Sequence, residues 1–87
     1  MYKYEDEKSR LFTDEGQRVL FKVRDNFKEL ETVSGAIKAS KLMAQTTNYG
    51  DTYLFLACMD RLVEIGEIKE ITDSETIAQN KVYIRIY

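Results

Sequence analysis

Lys38 and Lys41 stand three residues apart in a stretch, residues 32–50, that holds two basic residues and no acid. Thr46, Thr47 and Asn48 follow in the same stretch, so ammonium groups, hydroxyls and a side-chain amide lie close together in sequence. Such groups suit contacts with phosphate oxygens. They serve equally well as a solvated helix face and turn. Catalysis has far less to work with. The chain has no histidine, the commonest general base and metal ligand. It has no glycine-rich phosphate loop, no nucleophile elbow and no cysteine cluster for zinc. Its fifteen carboxylates are spread at helical charge-pair spacing, the pattern of a solvated surface. Cys58 sits in an apolar stripe and reads as a small core residue. The sequence therefore predicts no enzyme, no cofactor and no metal.

The elements that must position the basic stretch follow from size and patterning. With 87 residues, 44% hydrophobic, 32% charged and no proline, the chain has the makings of one small globular domain. Its net charge of −2 runs against a dedicated nucleic-acid binder, which is usually basic. One cysteine allows no internal disulfide, which fits a reducing cytoplasm. The polar start MYKYEDEKSR does not suit a secretory signal, and no apolar run is long enough to cross a bilayer.

Residues 1–12 read as a polar arm carrying Tyr2 and Tyr4. Thr13 and Asp14 supply a helix start. Val19, Leu20, Val23, Phe27 and Leu30 then make one apolar face over about 14–30. LETVSG interrupts, and Ser34 is expected to cap a second helix through AIKASKLMAQ with a small-residue face of Ala36, Ala39 and Met43. A turn cluster, QTTNYG, leads to Asp51 as the cap of a third helix. Leu54, Cys58, Leu62 and Ile65 are its buried stripe, widened by Phe55, Met59 and Val63. Gly66 ends it. EIKEI reads as a short strand, TDSETIAQN as a polar loop, and KVYIRIY as a closing strand with Val82, Ile84 and Ile86 inward.

The phrase MDRLVEIGEIKEI carries a resemblance. Asp60, Arg61, Leu62, Val63, Glu64 and Gly66, followed by Ile68 and Lys69, resemble the end of the recognition helix and the first wing strand of MarR-like winged helix-turn-helix regulators. The element order over residues 13–87 is similar as well. The resemblance implies an α+β winged helix with three helices and a small two- or three-stranded antiparallel sheet. It places Lys38, Lys41, Thr46, Thr47 and Asn48 at the phosphate backbone, with Thr52, Tyr53, Leu56 and Ala57 towards the bases. Tyr49 would stack or anchor, and Lys69 and Lys81 would flank the wing.

The charges depart from that pattern. Residues 51–67 hold Arg61 against Asp51, Asp60, Glu64 and Glu67, a local charge of −3. Asp73 and Glu75 add acids to the wing, and no basic residue falls between 70 and 80. The first two turns of the third helix lack the arginine, asparagine or glutamine that read bases strongly. Two functions fit: a small DNA-binding regulator acting on double-stranded DNA, or an acidic winged-helix module that contacts a protein instead. Useful DNA specificity would favour a homodimer. Tyr2, Tyr4, Tyr83 and Tyr87, or the last strand as a sheet edge, offer a route to one.

Overall fold

The computed structural model describes residues 1–73, 76–77 and 80–86. Its elements run α1 (Tyr4–Glu7), a 3-10 helix (Lys8–Phe12), α2 (Asp14–Ser34), β1 (Ile37–Lys38), α3 (Ala39–Gln45), α4 (Thr52–Glu64), β2 (Ile68–Glu70) and β3 (Val82–Arg85). β3 lies between β1 and β2 and pairs antiparallel with both. From α2 onward this is a small α+β, winged-helix-like arrangement: long helix, short strand, two helices, then a hairpin that returns to the first strand.

Two capping expectations hold. The Thr13 hydroxyl oxygen accepts from the Gly16 N–H at 3.0 Å, and the Asp51 carboxylate accepts from the Leu54 N–H at 2.8 Å. Each satisfies a backbone donor that its helix leaves unpaired. Gly66, at φ 80°, closes the α4 end as expected.

Other expectations are corrected. α2 runs through Ser34 rather than stopping near Leu30, so Ser34 is the last residue of one helix and does not precede the next. Residues 37–38 become β1 because Ile37 pairs with Tyr83 and Lys38 with Val82; tertiary pairing overrides the helical reading of AIK. Lys38 then precedes α3 without a side-chain cap. Ala36 is exposed, and Leu42, with Ala39, is the buried residue of α3.

The closing strand faces the opposite way from its expected register. Tyr83 is buried against the core, whereas Ile86 is exposed and Val82 and Ile84 are half-covered. A large ring fills the inner position beside Ile37, and one-residue alternation then turns the aliphatics outward. β3 is also the central strand and not an edge. The edges are β1 and β2, only two and three residues long, carrying Lys38 and Lys69. Short, lysine-bearing edges discourage strand addition.

The N-terminal residues, expected as a polar arm, are helical and packed. Leu11 is fully buried in the core. The 3-10 helix comes so close to α2 that a Cβ on Gly16 would lie 1.9 Å from the Arg10 carbonyl oxygen, so only glycine fits there. The Gln17 side-chain amide donates to the Leu11 carbonyl oxygen at 2.5 Å, tying the segment down from the next residue. Cys58 is buried, as its place in the stripe predicts, and burial pushes its thiol up to about 12.

Candidate functional site

The apolar periodicity of α4 leads one to expect one buried face and one open face. Here α4 is buried over six consecutive residues, Leu54 to Met59. Only a helix covered on every side loses a full turn and a half in this way. α2 and the sheet cover one side. Tyr2, Tyr4 and Lys8 cover the other. Leu56 and Ala57, expected to face bases, are 6% and 0% exposed, so this expectation is corrected. The physical cause is the N-terminal segment, whose apolar groups take the place a groove would have.

The same segment answers the acids of α4. The Tyr2 hydroxyl donates to Asp60 Oδ2 at 2.6 Å, and its ring sits edge-on to Tyr53 at 5.6 Å. Glu64 accepts from the Tyr4 hydroxyl, Lys8 Nζ and Arg61 at 2.8, 2.9 and 2.7 Å. Arg10 forks onto both oxygens of Asp51 at 3.2 and 2.7 Å while also reaching Glu7. Arg24 pairs with Glu67 at 2.6 Å. The four acids that gave this stretch its charge of −3 are thus each engaged within the chain.

These contacts set the titrations. Lys8, Arg61 and Tyr4 together hold Glu64 down at about 2. Arg10, helped by the Leu54 N–H, holds Asp51 below the usual carboxylate range. Asp60 goes the other way: burial raises it, and the Tyr2 hydrogen bond only partly opposes that.

The turn between α3 and α4 is clamped from α2. Lys22 Nζ donates to the Thr47 carbonyl oxygen at 2.7 Å and Arg18 to that of Asn48 at 3.2 Å. Asn26 donates to Thr46 Oγ1, which itself donates to the Leu42 carbonyl oxygen. Thr46 is therefore 4% exposed and structural, a correction to its expected phosphate contact. Thr47 and Asn48 are exposed, Asn48 with φ 54°. Tyr49 is half-buried, edge-on to Phe55 at 5.4 Å. Thr52 is half-buried in the first turn of α4, and Tyr53 is 39% exposed.

The four lysines do not assemble. Lys41 is exposed on α3. Lys81 Nζ reaches Glu70 Oε1 at 3.3 Å. Lys38, opposite Val82, and Lys69, opposite Ile84, stand on the outer face of the sheet with β3 between them. Neither makes an ion pair among the described residues. The Ile71 N–H donates to the Val82 carbonyl oxygen and extends this face. Ile71 and Ile86 are 50% and 56% exposed. The outer face is therefore an aliphatic strip of Ile71, Val82, Ile84 and Ile86 between two lysines.

Sequence reasoning missed the N-terminal cover, the clamp by Arg18 and Lys22, and this strip. Gly16 was the available signal for the first: a glycine in the first turn of a helix asks for a close neighbour. Glu75 and Tyr87, read as a wing acid and a sheet tyrosine, lie outside the described residues. Among those described, no group of acids, cysteines or histidines could hold a metal, and no helix is long and apolar enough to cross a membrane. No family model, curated protein or solved structure matches the chain.

Proposed function

We propose that this protein is a winged-helix protein-contact module, and that it docks its partner on the outer face of the sheet. One observation carries the reading: the usual contact helix is closed by the chain's own N-terminus, while the sheet leaves aliphatic side chains open between two lysines. Contiguous exposed apolar groups rimmed by polar residues are a mark of contact surfaces. The fitting partner is a segment with an aliphatic stripe flanked by carboxylates. A second copy of this chain fits less well, because it would bring the same lysines to face one another.

A designed amphipathic peptide, leucines on one face and glutamates beside them, is the probe. Titrated into labelled protein, it should shift the amide resonances of residues 69–71 and 82–86. Ile84→Asp should weaken binding at least about tenfold, a loss on the order of 1.4 kcal/mol. Shifts confined to other surfaces, or none, would remove the reading.

A DNA-binding regulator is the second reading, and a particular observation favours it. Arg18 and Lys22 donate to the carbonyl oxygens of Asn48 and Thr47, which brings two cationic side chains to the α3–α4 turn, where Glu15 also stands near Gly50. In this reading Arg18 and Lys22 supply phosphate contacts at that turn. Binding of a mixed duplex pool at low salt, steeply lost with added salt and reduced in Arg18→Ala and Lys22→Ala, would install this reading in place of the first.

A further inference from the structure

The cover over α4 is of two kinds. From Arg10 onward it is rooted in the body of the domain. Leu11 is fully buried, its carbonyl oxygen accepts from the Gln17 side chain, and Gly16 packs against the Arg10 backbone. Residues 1–8 are different: none of them is buried, and Met1, Lys3, Glu5 and Asp6 are exposed. Among the described residues, no backbone hydrogen bond joins residues 1–8 to α2, α4 or the sheet. The Tyr2 and Tyr4 rings rest on the core from outside. Polar contact with α4 is made by side-chain tips: the Tyr2 hydroxyl on Asp60, and the Tyr4 hydroxyl and Lys8 Nζ on Glu64. Lys8 also sits over the Tyr4 ring at 5.6 Å, so the two reach Glu64 together. A segment with few buried apolar contacts and no backbone bonds to its surroundings opens at a lower free energy than the whole domain.

What lies beneath tells what could replace it. Tyr53, Asp60 and Glu64 recur at seven and four residues, which sets them along one line of α4. Tyr53 stays 39% exposed even beside the Tyr2 ring. Opening leaves Asp51 with Arg10, Glu64 with Arg61 and Asp60 with Lys81 acting on it from the hairpin. It removes a phenolic donor from Asp60, and a phenolic donor and an ammonium from Glu64. A replacement that restores those contacts carries tyrosines with lysine beside them.

We infer that residues 1–8 are a strap that leaves α4 about the fixed root at residues 10–13 while the rest of the domain stays folded, and that a tyrosine- and lysine-bearing segment of a partner protein takes its place. The strap is an internal competitor for that line of α4. Being tethered, it acts at high effective concentration, so the partner binds the closed protein more weakly than the opened one. The line on α4 is a different surface from the outer sheet face, and the inference does not depend on the docking reading.

Tyr2→Ser combined with Tyr4→Ser in the 87-residue chain removes both rings and both donors. Amide resonances of residues 2–8 should then move to unfolded positions, while those of α2 and the sheet keep their folded ones. Global unfolding of this variant, or residues 2–8 still ordered in it, would overturn the strap. The binding probe is a peptide of alternating lysine and tyrosine. It should shift residues 53, 60 and 64 and bind the double variant at least about tenfold more tightly than the parent. In the parent, its binding should carry the Tyr2 and Tyr4 resonances to their released positions. Equal affinity for parent and variant would overturn the competition, as would shifts confined to other surfaces. The same peptide with serine in place of tyrosine should bind the variant severalfold more weakly; equal binding would reduce the contact to charge attraction and overturn the part given to the tyrosines. A basic peptide on α4 and an acidic one on the sheet succeed or fail separately.

Discussion

The α4 face and the outer face of the sheet are finished in opposite ways here. The α4 face is apolar and acidic in sequence, and the chain covers it with its own first dozen residues. The outer sheet face holds aliphatics too, yet nothing described covers them. On composition alone, the α4 face would be the open one and the sheet aliphatics would be buried. The difference lies in local reach. A segment joined directly to α2 can fold back over α4, and Gly16 lets it lie flat; among the described residues, none crosses the outer face of the sheet.

The sharpest way to break this comparison is Leu56→Ala. If the N-terminal segment covers α4 as described, the substitution opens a cavity and costs about 3 kcal/mol of stability. An exposed reading residue would cost under about 0.5 kcal/mol. Urea unfolding, read as a midpoint shift at unchanged slope, separates the two. A small effect would mean that the cover is not formed in solution, and α4 would again be open to a groove.

Tyr2→Phe tests the same cover with less force. It leaves the ring against Tyr53 and removes the donor to Asp60, so a half-buried carboxylate loses its bond. The expected cost is about 1 kcal/mol. No loss in thermal or urea unfolding would show that the Tyr2 contact is not a fixed part of the fold.

The acids beneath the cover give the comparison a pH dependence with opposing signs. Glu64 and Asp51 have lowered folded pKa values, so the unfolded chain takes up their protons first as pH falls. Their stabilisation is complete above the usual carboxylate range and is lost as pH drops, for Glu64 from about 4.5 towards about 2. Asp60 is raised, so the folded state holds its proton more tightly, and its share of stability grows as pH falls. Asp60→Asn should therefore steepen the acid loss of stability, and Glu64→Gln should flatten it. Unfolding midpoints measured from pH 6 down to pH 3 check both signs. The exposed Glu64 pairs are open to solvent, so added salt should shrink the Glu64 effect more than the Asp60 one.

Much of the fold was legible because its signals are local. The Thr13 and Asp51 caps, the Leu54, Cys58 and Leu62 part of the α4 stripe and Gly66 each depend on a few neighbouring residues, whereas Ile65 and Val63, expected in that stripe, are 44% and 38% exposed where the helix runs out past the core. What escaped was set by distant partners. β1 exists only because β3 returns to it, and Tyr83 faces inward only because Ile37 and the core leave room for a ring there. The candidate site was less legible for the same reason. Lysine spacing in sequence said nothing about Lys81 meeting Glu70, or about β3 separating Lys38 from Lys69. Nor could charge counts reveal that Tyr2, Tyr4, Lys8 and Arg10 lie against the acids that make α4 look repulsive to DNA.

Ile71→Ala has the smallest expected effect on the fold and separates stability from contact. Ile71 is half-exposed at the end of β2, and its backbone N–H, which the substitution keeps, makes the bond to Val82. Loss of stability should stay under about 0.5 kcal/mol, in contrast to Leu56→Ala. If the sheet face is a docking surface, the same change should still weaken the acidic amphipathic peptide, because the side chain would be buried only in the complex. Each carbon covered there and then removed costs roughly 0.8 kcal/mol, so covering about two of them corresponds to about tenfold in affinity. A residue whose truncation leaves folding untouched but reduces binding serves contact and not the core. Unchanged peptide affinity in Ile71→Ala would mean the strip is merely solvated, and the basic turn held by Arg18 and Lys22 would become the surface to pursue.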